Sequence, residues 1–167
     1  RNEQAFDGDK IDLVQRELAV REIARRKLIA FVSRMKPDYK AGWFHKDVAM
    51  HMEQFLQDVI DKKSPRLILN APPRSGKSTL ASLYFPAWAL GLHPWLEIIA
   101  ASYASSLALS FSRQVRSTLR DKRYKVIYPD TLLNEEAQNA EGWFTNKGGQ
   151  YLPVGVGGPA TGRGAHC

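Results

Sequence analysis

The feature that most narrows what this chain can fold into is a short apolar run that passes directly into a glycine-lysine loop. Arg66-Leu67-Ile68-Leu69-Asn70 leads without a linker into Ala71-Pro72-Pro73-Arg74-Ser75-Gly76-Lys77-Ser78-Thr79. The second segment matches the phosphate-loop pattern G-x-x-x-x-G-K-[ST] at each defined position except the first, where Ala71 replaces glycine. The apolar run suits a central parallel strand, and a helix is expected to begin near Gly76. That context gives the spacing its physical meaning. The loop Pro72-Pro73-Arg74-Ser75-Gly76 wraps phosphate oxygens with the successive backbone N–H groups that follow its two prolines, and the positive end of the helix points at them. Lys77 is the expected point charge for the β- and γ-phosphates. The Ser78 hydroxyl completes a Mg²⁺ shell, and Thr79 bonds a further oxygen. The competing reading is a Gly-Lys-Ser turn with no ligand.

The remaining residues fall into a helical first third and an alternating strand-helix remainder. Ala24, Leu28, Phe31, Val32 and Met35 recur at helical spacing before Pro37, within a segment whose basic side carries Arg16, Arg21, Arg25, Arg26, Lys27 and Arg34. Such a side suits DNA or a neighbouring subunit, and it equally suits plain solvation. A second helix is expected over 45–61, burying Val48, Met52, Phe55, Leu56 and Val59. The helix after the loop turns Leu80, Leu83 and Tyr84 inward and is expected to be cut or kinked at Pro86. A strand over 97–101 precedes a helix with Ala108, Phe111, Val115 and Leu119 as its core stripe and Arg113, Arg116 and Arg120 on another side. Trp143-Phe144-Thr145 and Gln150 to Val154 flank Asn146-Lys147-Gly148-Gly149 as a β-hairpin. Gly155, Gly157, Gly158, Gly162 and Gly164 then surround Thr161 and Arg163, a composition suited to a mobile loop near phosphate or DNA, or to a plain surface loop.

This order predicts an α/β fold: a parallel sheet flanked by helices, preceded by an N-terminal helical segment, with ligands at the carboxyl ends of the strands. The 167 residues, 44% of them apolar, suit one domain. A formal charge of +7 is compatible with a polyanionic partner. One cysteine excludes an internal disulfide and a cysteine-built metal site, and no apolar run is long enough to span a bilayer.

Three segments together resemble the large terminase subunits of tailed bacteriophages and prophages over roughly residues 39–167. They are the run 66–70 entering Pro72-Pro73-Arg74-Ser75-Gly76-Lys77-Ser78, Ala101-Ser102-Tyr103-Ala104 with its following helix, and Val156-Gly157-Gly158 leading to Thr161-Gly162-Arg163-Gly164-Ala165. The resemblance implies a P-loop NTPase of the RecA-like, ASCE type, with residues 1–38 as a helical segment and 39–167 as an ATPase core that stops before its Walker B strand. By the same resemblance, a C-terminal nuclease domain is expected to lie outside these residues. It implies ATP and Mg²⁺ as cofactors and Arg74 as a γ-phosphate sensor. Arg163 would be a finger across a subunit boundary, and His45 would stand in the adenine-contacting segment. Implied partners are double-stranded DNA, the portal protein, the terminase small subunit and further copies in a ring, in the host bacterial cytoplasm without a membrane.

The full-length parent would hydrolyse ATP to package DNA and cut concatemers. This piece would bind nucleotide with negligible hydrolysis, since Asp130, Glu135, Glu136 and Glu141 do not end an apolar strand beside the loop. A helicase-like, nucleic-acid-dependent ATPase and a non-catalytic interaction module are the alternatives.

Overall fold

The computed structural model describes residues 2–139, 142–155 and 164–167. Ala24, Leu28, Phe31, Val32 and Met35 are all buried, as their spacing predicts, but they do not share one helix. Helix α1 (Asn2–Arg26) ends and α2 (Leu28–Met35) begins across Lys27, whose φ of −125° and ψ of 117° are extended. The break is stabilised by α3 (Trp43–Ile60). The Glu53 carboxylate of α3 accepts the Leu28 N–H at 2.8 Å and the Lys27 ammonium at 2.9 Å. An acceptor at the first unpaired N–H of a helix does the work of an N-cap, and its negative charge suits the helix's positive end. The basic side of this region is already paired: Arg16, Arg21, Arg25, Arg26 and Arg34 each meet Asp12, Glu17 or Glu22. It is a surface of alternating charge, not a bare cationic stripe.

Phe31 of α2 is fully buried, with its ring 6.2 Å from Tyr84, 6.0 Å from Tyr124 and 5.9 Å from Tyr128. Two of these contacts are edge-on, the arrangement that aligns ring edges with ring faces. The polar ends of the cluster reach backbone acceptors. Tyr124 donates to the Ala87 C=O at 2.9 Å, and Trp88 donates to the Arg25 C=O at 3.0 Å, a carbonyl in the last turn of α1. Burial holds the Tyr124 and Tyr128 phenols well above their ordinary range, so both stay neutral.

After residue 76 the chain stays helical through Pro86. A wide π turn over Thr79–Tyr84 runs into α4 (Phe85–Leu92), with the Phe85 N–H donating to the Leu80 C=O five residues back. The expected cut at Pro86 is therefore replaced by a widened turn just before it, which accommodates a residue lacking an N–H in the first turn of α4. Trp88 and Leu90 are buried on α4.

The sheet holds β1 (Glu97–Ser102), β2 (Leu133–Asn139), β3 (Gly142–Thr145) and β4 (Gln150–Gly155) in the order β1-β4-β3-β2. It is mixed, which corrects the expectation of a parallel sheet. β1 and β4 run parallel from Glu97↔Gln150 to Ser102↔Gly155, while β4 with β3 and β3 with β2 are antiparallel. The reason lies in the connections. The expected hairpin is present, and a turn as short as Asn146–Gly149 can join only antiparallel strands, whereas α5 (Ser105–Arg120) and α6 (Lys122–Ile127) supply the crossover that a parallel pair needs. Trp143 stacks on Tyr151 across β3 and β4, with centroids 5.1 Å apart, and donates to Ser112 at 3.1 Å. Ser112 thus takes the fully buried place on α5 that the spacing assigned to Phe111, which is half-buried.

The run Arg66–Asn70 is not a strand, a second correction. Leu67 and Leu69 are partly buried against the core while Ile68 is 83% exposed, so the segment alternates as a strand would without pairing. The free edge of β1 is met instead by the end of the chain. Cys167 N–H donates to the Glu97 C=O at 3.2 Å, and the Ile99 N–H donates to the Cys167 C=O at 2.9 Å, the pattern of parallel pairing. No helix among the described residues is long and apolar enough to cross a membrane.

Because Phe31 joins α2 to three tyrosines from two later segments, Phe31→Ala is expected to cost about 3–5 kcal/mol. The check is a lower urea midpoint at unchanged slope. A shift smaller than that of an exposed control such as Leu13→Ala would contradict the central role given to this ring.

Candidate phosphate-binding site

The loop 71–79 bends through two residues with left-handed backbones, Arg74 at φ 61° and Gly76 at φ 81°. Ala71 is not one of them, so the position where the sequence departs from the glycine pattern makes no demand that alanine cannot meet. Pro72 and Pro73 open the turn, and the Ser75 N–H closes it on the Pro72 C=O at 3.4 Å. Helix begins at Lys77, and the Leu80 N–H donates to the Gly76 C=O at 3.1 Å. The N–H groups of Lys77, Ser78 and Thr79 precede that bond, so they form the end where helix donors are left over.

Lys77 arches back across the loop, its ammonium donating to the Ala71 C=O at 2.6 Å. The remaining two ammonium hydrogens stay available to an anion. Ser78 is exposed and Thr79 half-buried. The Ser75 hydroxyl is buried without a hydrogen-bond partner among the described residues. Arg74 is exposed, and no described residue pairs with it. In the left-handed region a non-glycine residue carries about 1 kcal/mol of backbone strain or more.

The fold brings His45 against the loop. It sits in the first turn of α3, where its Nδ1 accepts the Gly42 N–H at 3.1 Å, and its Nε2 lies 2.9 Å from the Ser75 C=O. A Cβ built at Gly76 would stand 3.0 Å from that same Nε2. Tyr39 completes the corner. Its ring meets His45 edge-on at 5.4 Å, and its hydroxyl is buried without a described partner, with burial raising its pKa first and Tyr84 second. Phe44 meets the imidazole edge-on at 5.5 Å, and Trp43 is 82% exposed beside Phe44. Tyr39 lies outside any motif spacing. Only its position after Pro37 and ahead of α3 hints that it closes on the loop.

A mainly apolar cavity of about 460 Å³ adjoins the loop at Ser78 and reaches the end of β1 at Ser102. Leu67 and Leu69 line it together with Ile99 and Phe85, so the apolar run and β1 face one another across space instead of pairing. No cluster of three metal-ligating side chains occurs among the described residues. Arg163, Thr161, the glycines at 157, 158 and 162, and Glu141 lie outside the described residues. Glu135 and Glu136 fall on β2, which is the strand farthest from β1 in the sheet.

Comparison with protein-family models, with curated proteins and with solved structures gave no match.

Gly76→Ala meets two obstacles at once, a left-handed φ and the His45 ring. The expected outcome is a loss of about 1–2 kcal/mol in stability together with weakened anion binding. Thermal unfolding with and without Mg²⁺-ADP checks it, and equal ligand-induced shifts in variant and wild type would refute it.

Proposed function

We propose that this chain binds the phosphates of a nucleotide, with Mg²⁺, on the loop 71–79, as part of an ATP-hydrolysing motor of the kind found in terminase large subunits. The observation that carries the reading is the loop itself. Gly76 has the left-handed backbone that brings N–H groups inward, the first three N–H groups of the helix are left over, and Lys77 is folded across the same concavity. The Ser75 hydroxyl, which has no partner among the described residues, suits a compact anion. Backbone N–H groups would hold the phosphates, Lys77 would neutralise the outer ones, and the Ser78 hydroxyl would take one place on the metal. Mg²⁺ would offset phosphate charge when bound.

Two features count against a conventional P-loop core, namely the mixed sheet and the unpaired run 66–70. Both concern the sheet, while the loop and its helix keep the arrangement that an anion needs. Arg74 is exposed in this chain, and in the longer protein that the resemblance implies it would meet a γ-phosphate. Hydrolysis would serve the movement of double-stranded DNA, with portal, small subunit and further copies as partners. Among the described residues no acidic group is seen bonded to this loop, and binding with negligible turnover is the behaviour we expect of these residues alone.

Calorimetric titration with Mg²⁺-ADP and with a non-hydrolysable ATP analogue tests the reading. Saturable binding is expected in the wild type, and Lys77→Ala should weaken it at least tenfold, since a buried charge-assisted contact is worth about 1.5–3 kcal/mol. A folded wild-type chain that takes up neither ligand would remove the proposal.

A further inference from the structure

We infer that His45 is a positioning residue that sets the shape of the phosphate loop and does so without touching the base; this rests on the phosphate-site reading above. The two ring nitrogens have different kinds of partner. Nδ1 faces the Gly42 N–H at 3.1 Å, a group that only donates, so Nδ1 is the bare acceptor. Nε2 faces the Ser75 C=O at 2.9 Å, a group that only accepts, so Nε2 carries the hydrogen. The hydrogen-bond network therefore selects one neutral tautomer.

Through that tautomer the ring ties the start of α3 to the residue just before Gly76. Tyr39 and Phe44 meet the imidazole edge-on at 5.4 and 5.5 Å and restrict its plane. The missing side chain at residue 76 is what lets Nε2 come so close, so ring and loop fit each other. Without His45 the Ser75 carbonyl loses its donor, and the curvature of the loop is no longer fixed before an anion arrives. Ordering then has to occur on binding, which lowers affinity for any phosphate ligand, whatever base it carries. A His45 that contacted adenine would act on nucleotides only.

Inorganic pyrophosphate with Mg²⁺ has no base and separates the two roles. By calorimetry, His45→Ala is expected to weaken Mg²⁺-ADP and Mg²⁺-pyrophosphate by the same factor, about fivefold to tenfold. His45→Asn keeps an acceptor for the Gly42 N–H but is too short for Ser75, and should lose as much as the alanine variant. His45→Gln places an amide N–H within reach of Ser75 and should recover most of the affinity. Loss confined to ADP, or no loss with either ligand, overturns the inference.

The imidazole nitrogen resonances of the unliganded wild-type chain give a second test that needs neither ligand nor variant. Nε2 protonated with Nδ1 bare supports the strut, and the opposite tautomer overturns it. A wild type that binds neither ADP nor pyrophosphate would remove the phosphate-site reading, while the tautomer would still decide whether His45 holds the loop.

Discussion

Much of this molecule depends on the carboxylate of Glu53. Two donors converge on it, the Leu28 N–H and the Lys27 ammonium, and by satisfying the start of α2 it allows one helical sequence to become two helices. The break redirects Phe31 into the cluster of Tyr84, Tyr124 and Tyr128, and it leaves the Arg25 carbonyl for Trp88 to bond. It also fixes α3. Glu53 and His45 stand eight residues apart on that helix, about 12 Å along its axis, so the helix anchored at the break carries His45 to the loop. The aromatic core and the candidate site therefore share one rigid element.

The parts of the fold legible in the sequence are those set by local period. The apolar stripe from Ala24 to Met35, the helix over 43–60 and the hairpin about Asn146–Gly149 follow from spacing and turn chemistry. What escaped was decided by distant partners. No local signal at Lys27 announces a helix break, because the group that stabilises it comes from 26 residues further on. α6 is a short basic helix capped by its own Asp121, which accepts the Arg123 N–H at 2.8 Å, and β2 is an acidic edge strand with little apolar period. The parallel-sheet expectation overlooked a consequence of the hairpin. Once β4 lies beside β1, a tight turn obliges β3 to run the other way.

At the site, sequence reading singled out the loop 71–79 and, by resemblance, set His45 in the adenine-contacting segment. In the structure its ring faces the backbone of Ser75. Spacing could not reveal this, since the contact joins residues thirty apart and involves a main-chain oxygen that every residue type possesses. The loop's departure from the glycine pattern proved less important than its position suggested. The left-handed backbones fall at Arg74 and Gly76, and Arg74 is the residue that bears the strain.

The widened turn over Thr79–Tyr84 has a consequence for how this segment tolerates change in length. A π turn is equivalent to one extra residue inserted in an α-helix, which advances every side chain beyond it by about 100°. That advance lets Leu80 and Tyr84 within the turn, and Trp88 and Leu90 beyond it, enter the same core. Shortening the segment by one residue would restore regular winding, yet it would rotate the loop's end of the helix against α4. The helix could stay intact while Lys77 and Ser78 left the face from which they now point, so its phase, as distinct from its stability, is what the extra residue maintains.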